Sequence, residues 1–130
     1  MGKDINVLVV DDEESFTYFV KLNLQNETRY DFKVTTANKG KEGLNIARTI
    51  KPDLILLDIM MPDMDGTDVA EKLLLDPRTK NIPIIFLTAV ARKDEVEENE
   101  GMIGGREFIA KPVGKEVLIN RIEETLNLRQ

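Results

Sequence analysis

The sequence contains no cysteine and no histidine among its 130 residues. Without cysteine there are no disulfides and no thiol chemistry, and without histidine there are no Ser-His-Asp or Cys-His catalytic groups and no histidine metal ligands. The chain also cannot carry a phosphohistidine of its own. No apolar run is long enough to cross a bilayer and no secretory leader opens the chain, so we expect a cytoplasmic protein.

Acidic residues outnumber basic ones by 24 to 18, which gives a formal net charge of −6. This excess argues against nonspecific binding to nucleic acid or to an anionic membrane. Hydrophobic residues make up 42% of the chain and charged residues 32%, values that are ordinary for a globular protein. The length predicts a single domain that covers residues 1–130.

The spacing of apolar residues predicts five strands that alternate with helices. The predicted strands are Ile5–Val10, Phe32–Ala37, Asp53–Asp58, Ile82–Leu87 and Glu107–Ala110. The predicted helices are Glu13–Gln25, Lys39–Thr49, Thr67–Leu75, a short or deformable one over the acidic segment Asp94–Glu100, and Lys115–Leu128. Such alternation predicts an α/β fold of three layers, in which helices cover both faces of a parallel sheet.

Three carboxylates stand where predicted strands end. Asp11 and Asp12 follow the first strand, and Asp58 closes the third. Ligands of open parallel sheets bind at the carboxyl ends of the strands. Carboxylates gathered there repel one another unless a cation lies between them, and an all-oxygen cluster suits Mg²⁺ better than Zn²⁺.

Two more polar groups stand at the ends of the fourth and fifth predicted strands. Thr88 follows the fourth strand and Lys111 the fifth. If the strands take the flavodoxin-like order 2-1-3-4-5, both residues reach the same crevice as Asp58. This set suits phosphoryl transfer to a carboxylate, with Asp58 as nucleophile, a hydroxyl as hydrogen-bond donor and an ammonium as point charge. Taken singly, each residue has an ordinary explanation: Asp12 and Glu13 suit the positive end of a helix, and the others suit a turn, a cap or a solvated surface. Their joint placement favours a site.

These residues make the chain resemble the receiver domains of two-component response regulators, including stand-alone members such as the chemotaxis regulator. The matching stretches are Val7–Asp12, Pro52–Gly66, Leu87–Ala89 and Phe108–Pro112. The resemblance covers essentially the whole chain and implies a flavodoxin-like (βα)5 fold with strand order 2-1-3-4-5. It leaves no room in the 130 residues for an output domain.

The resemblance implies an acceptor and a metal site. Asp58 is the implied phosphoacceptor, and the implied phosphoryl donor is a sensor histidine kinase or a histidine phosphotransfer protein. The implied cofactor is Mg²⁺, held by Asp11, Asp12, Asp58 and the backbone carbonyl of Met60. The implied protein catalyses only its own phosphoryl transfer and slow autodephosphorylation.

The resemblance also implies a switch. Thr88 is the implied switch hydroxyl, Phe108 the aromatic side chain that follows it, and Lys111 the phosphate-binding ammonium, with a cis bond before Pro112. The face formed by the fourth helix, the fifth strand and the last helix then changes shape, and a downstream protein partner, whose identity the sequence does not give, binds it. We expect no direct contact with nucleic acid or membrane, and a monomer or a phosphorylation-dependent dimer.

Two positions depart from the family pattern. Met60 and Val90 are apolar where polar side chains help to position the hydrolytic water, which predicts slow self-dephosphorylation. The side chains of Met60, Met61 and Met64 are expected to pack rather than to bind a metal, because no cysteine or histidine accompanies them.

Other functions stay open at this stage. A phosphatase of the haloacid-dehalogenase kind needs a second Asp where Met60 stands, and a flavin or nucleotide carrier is disfavoured because the acidic turn 11–14 repels phosphate. A receiver-like scaffold that acts by protein interaction without phosphorylation, or a receiver excised from a longer regulator, are the remaining alternatives.

Overall fold

A computed structural model describes residues 4–89, 102–103 and 106–128. The strands are β1 (Asp4–Val10), β2 (Asp31–Ala37), β3 (Leu54–Asp58), β4 (Ile84–Thr88), β5 (Met102–Ile103) and β6 (Arg106–Ala110). The helices within the described ranges are α1 (Glu14–Gln25), α2 (Gly40–Ile50), α3 (Gly66–Leu75) and α4 (Lys115–Leu126). The additional helix predicted over Asp94–Glu100 lies outside the described residues.

The strands form one sheet in the order β2-β1-β3-β4-β6-β5. All neighbours are parallel except β5, which runs antiparallel to β6. The predicted order 2-1-3-4-5 is confirmed, with β6 as the predicted fifth strand. The two-residue β5 was not predicted, because the glycines around it gave no strand pattern.

Apolar side chains alternate between the two faces of the sheet and build a separate core on each. One core contains Val7, Val9, Leu54 and Leu56 and packs against α1 and α4; the other contains Leu8, Val10, Ile55 and Leu57 and packs against α2 and α3. Because β1 and β3 are covered on both faces, they are almost continuously apolar, as expected of central parallel strands.

The observed boundaries lie within about two residues of the predicted ones. Asp53 stands just before β3, and its carboxylate accepts a hydrogen bond from the backbone N–H of Asn6 at 2.8 Å. β4 begins at Ile84, directly after Pro83, because proline has no N–H for the ladder. α4 ends at Leu126 because Asn127 takes the left-handed conformation, with φ 55°.

Within the part of the chain that the structure describes, none of the helices combines the length and the apolar character that crossing a bilayer requires.

Candidate functional site

The carboxyl ends of four strands meet at one edge of the sheet. Asp58 and Thr88 are the last residues of β3 and β4, while Asp11 and Lys111 directly follow β1 and β6. Backbone hydrogen bonds continue past the strands: the N–H of Ile59 donates to the carbonyl of Leu87 at 3.2 Å, and the N–H of Lys111 donates to the carbonyl of Thr88 at 2.9 Å. These backbone hydrogen bonds therefore fix the spacing between the strand ends that carry Asp58, Thr88 and Lys111.

Three carboxylates form a tight acidic cluster at this edge. Asp11, Asp12 and Asp58 each offer one carboxylate oxygen, and the three oxygens lie within 4.8 Å of one another. Asp11 and Asp58 are buried, whereas Asp12 is exposed. The sequence predicted that these side chains would converge, and the structure brings them together.

Burial makes the ionised form of Asp58 costly, and the charge of Asp11 adds to that cost. These two effects, with a hydrogen bond to Asp12, raise the pKa of Asp58 to about 7, although Lys111 and the backbone N–H of Met60 act in the opposite direction. A single ammonium does not compensate the carboxylates gathered here. Because the available donors are all oxygen atoms, the cluster fits a hard divalent cation such as Mg²⁺.

The ammonium of Lys111 lies beside the acidic cluster. Its Nζ atom is 2.8 Å from Asp11 Oδ2, 2.8 Å from Glu13 Oε1 and 3.9 Å from Asp58 Oδ1. Burial alone lowers the pKa of Lys111, but its hydrogen bonds to Asp11 and Glu13 outweigh that effect and raise the pKa. The peptide bond between Lys111 and Pro112 is cis, as the resemblance implied.

The predicted switch residues Thr88 and Phe108 lie on the neighbouring strands β4 and β6. Thr88 is buried and is paired with Ala110 in the register of the sheet. Phe108 is half-buried and stacks on Phe86, with 5.3 Å between ring centroids. Phe108 is thus two residues before the register partner of Thr88, on the neighbouring strand.

Two loop contacts that the sequence did not reveal hold the Asp11 side of the site. The carboxylate of Asp11 accepts a hydrogen bond from the N–H of Glu13 at 2.9 Å, and its backbone carbonyl accepts one from Asn38 Nδ2, also at 2.9 Å. Glu13 was predicted only to suit a helix terminus, and its contact with Lys111 was missed.

The loop after β3 is also fixed by hydrogen bonds and by close packing. Asp63 accepts hydrogen bonds from the N–H groups of Gly40 and Lys41, at 3.0 and 3.2 Å, and so caps α2 from across the fold. Gly66 packs directly on the backbone of Asp58, so that a Cβ atom added there would clash with the carbonyl oxygen of Asp58. This loop leaves no room for a larger residue at that point.

The three methionines of the same loop differ in their surroundings. Met61 and Met64 are half-buried and pack against the core beneath α2 and α3, as predicted. The prediction for Met60 was wrong, because its side chain is 63% exposed. Met60 lies in the loop that follows Asp58, and its side chain faces solvent there.

Comparisons with known proteins agree with this geometry. A family model described as the response regulator receiver domain matches residues 7–123. The transcriptional regulatory protein AfsQ1 of Streptomyces coelicolor is 36% identical over 122 residues, which are 93% of this chain and 51% of AfsQ1. The response regulator PleD of Caulobacter vibrioides is 38% identical over 117 residues, which are 89% of this chain and 25% of PleD. The chain thus spans about half or less of these relatives.

Solved structures share the fold over nearly their whole length. The chemotaxis protein CheY4 of Vibrio cholerae superimposes with a TM-score of 0.79 and 28% sequence identity, and the match covers 95% of this chain and 99% of CheY4.

Proposed function

Because the chain belongs to the response regulator receiver domain family, we propose that it accepts a phosphoryl group on Asp58 and changes its affinity for a partner protein in response. Receiver domains are signalling domains of two-component systems rather than classical enzymes. The observation that carries the proposal is the placement of Asp58: a buried carboxylate at a strand end, inside an acidic cluster and 3.9 Å from the ammonium of Lys111.

Mg²⁺ is the proposed cofactor. Asp11, Asp12, Asp58 and the backbone carbonyl of Met60 are the proposed protein ligands, supported by the acidic cluster and by the raised pKa of Asp58, which burial and the charge of Asp11 cause. When bound, the cation supplies positive charge against the oxygens of a phosphoryl group.

The chain's own residues supply the rest of the reaction. An oxygen of the Asp58 carboxylate forms a bond to phosphorus while the bond from phosphorus to the donor's imidazole nitrogen breaks; the imidazole leaves with that electron pair and takes up a proton. Lys111 turns its ammonium towards the anionic product, and the hydroxyl of Thr88 donates a hydrogen bond to a phosphoryl oxygen. The donor is a sensor histidine kinase or a histidine phosphotransfer protein, since this chain has no histidine.

The proposed output is a change of surface. As Thr88 moves towards the phosphoryl group, Phe108 shifts into the space behind it and alters the face to which β6 and α4 contribute. Stacking on the buried ring of Phe86 gives Phe108 a defined starting position. We propose that a downstream protein binds this face in the cytoplasm, or that a second copy does so after phosphorylation.

The phosphorylated state is proposed to be long-lived. The side chain of Met60, two residues after Asp58, is exposed and offers only a weak thioether acceptor, so it holds a water molecule poorly. Val90, the second apolar departure, lies outside the described residues. Slow self-dephosphorylation therefore stays a prediction, and it rests on Met60.

The direct test is incubation with acetyl phosphate and MgCl2, followed by intact-mass measurement. We expect the wild type to gain one phosphoryl group and Asp58→Asn to gain none. Asp68→Asn, which removes an equally charged but exposed carboxylate from α3, is the matched control and should behave as the wild type. If Asp58→Asn is still modified at the wild-type rate, Asp58 is not the acceptor. If the wild type gains nothing with MgCl2, the scaffold alternative is favoured instead.

A further inference from the structure

The Lys111 ammonium is hydrogen-bonded to two carboxylates, and neither of them is Asp58. Two of its three N–H donors have partners, since Asp11 Oδ2 and Glu13 Oε1 both lie 2.8 Å from Nζ. Asp58 Oδ1, at 3.9 Å, is beyond hydrogen-bonding distance. The Phe16 ring, whose centroid is 4.9 Å from Nζ, also favours this position beside α1.

The two carboxylates that hold the ammonium are not equivalent. The Asp11 side chain is fully buried, whereas that of Glu13 is 60% exposed. Glu13 is the N-cap residue of α1, yet its side chain makes no capping hydrogen bond and so is available to Lys111. Breaking the ion pair with Glu13 costs little free energy, because water can solvate this exposed carboxylate. Breaking the ion pair with Asp11 would leave a buried carboxylate without its counter-ion, which costs much more. The contact that breaks when Lys111 turns is therefore the one with Glu13.

We propose that Glu13 is a positioning residue that competes with the acceptor for the ammonium of Lys111 and thereby weakens binding of a phosphoryl-like anion at Asp58. This inference rests on the proposed function, because it describes the regulation of the same site. An exposed ion pair contributes little, so we expect an effect of about two- to five-fold on the anion's dissociation constant.

The test uses beryllofluoride, a phosphoryl mimic, titrated into the whole chain at saturating MgCl2 and followed by backbone amide NMR. Glu13→Gln removes the charge and the strong acceptor, and should bind beryllofluoride about two- to five-fold more tightly than the wild type. Glu13→Asp keeps the charge but shortens the side chain by one methylene, so it should bind nearly as tightly as Glu13→Gln.

Glu14→Gln is the matched control. Glu14 is exposed in the first turn of α1, and its replacement makes the same change in net charge. Its affinity should equal that of the wild type. If Glu13→Asp instead binds like the wild type while Glu13→Gln binds more tightly, the effect is one of charge alone and the positioning role is wrong.

A second measurement does not depend on phosphorylation. The ¹⁵N signal of Lys111 Nζ, recorded without MgCl2 or beryllofluoride, should shift in Glu13→Gln and Glu13→Asp but not in Glu14→Gln. A wild type that fails to bind beryllofluoride would contradict the proposed function itself. A wild type that binds it, beside a Glu13→Gln variant of equal or lower affinity, would contradict only the inference about Glu13.

Discussion

Asp58→Asn should make the metal-free protein more stable, and the gain should grow with pH. In the folded chain the pKa of Asp58 is about 7, against 3.8 for an ordinary aspartate, chiefly because the carboxyl is buried and faces Asp11. The folded protein therefore binds a proton at Asp58 over a range of pH in which the unfolded protein has released it. The contribution of the Asp58 carboxyl to the free energy of unfolding is fully present below its pKa in the unfolded chain. That contribution is lost as pH rises through its pKa in the folded chain.

The magnitude follows from the size of the shift. Each pKa unit corresponds to about 1.4 kcal/mol, so the full shift sets an upper limit on the order of 4 kcal/mol at high pH. At about pH 5, which is above the pKa of Asp58 in the unfolded chain, the wild type has already lost part of this stability. Between about pH 5 and about pH 8, the advantage of Asp58→Asn over the wild type should increase by roughly 2 to 3 kcal/mol.

Urea unfolding with a chelator, at several pH values across this range, measures the effect as a difference in the free energy of unfolding. Asp68→Asn is again the control, because Asp68 is exposed and lies outside the acidic cluster. Its difference from the wild type should not change with pH. Adding MgCl2 should reduce the advantage of Asp58→Asn, since a bound cation stabilises the ionised form. An advantage that stays constant or shrinks as pH rises would refute the reasoning.

Three further substitutions test the loop after β3. Gly66→Ala should lower the free energy of unfolding by about 1 to 3 kcal/mol and weaken beryllofluoride binding, because the new methyl group meets the backbone of Asp58. Gly114→Ala, where no atom lies within 4 Å of the new methyl group, should leave beryllofluoride binding unchanged. Asp63→Ala should cost about 0.5 to 2 kcal/mol by removing the cap of α2, measured by urea unfolding. These hydrogen bonds lower the pKa of Asp63. The difference in free energy of unfolding between the wild type and Asp63→Ala should therefore become smaller at low pH. Met60→Asn should shorten the lifetime of the phosphorylated state, and an unchanged decay rate would rule out Met60 as its cause.

The sheet and the acidic cluster could be predicted because they depend on short-range patterns. The apolar runs before Asp11 and Asp58 identify central strands, and parallel strands place their carboxyl ends at one edge. Once the order is given, the positions of Thr88 and Lys111 follow from the register alone.

The parts that could not be predicted depend on side-chain reach across the fold. Glu13 and Lys111 are separated by 98 positions, and nothing in the local sequence of either distinguishes their contact from a solvated charge. The cap that Asp63 provides for α2 is of the same kind, since it spans 23 positions. The exposure of Met60 depends on the path of one loop, which apolar character alone does not determine.

Backbone hydrogen bonds continue beyond β3, β4 and β6, so the main chain sets the spacing of the residues at these strand ends. Neighbouring strands are held about 4.8 Å apart whatever their outward side chains are. Exposed residues such as Tyr18 on α1 and Val117 on α4 can therefore be replaced without moving the strand ends that position Asp58, Thr88 and Lys111. The chemistry of the outer helix surfaces and the spacing of the strand-end residues can be varied separately in this molecule.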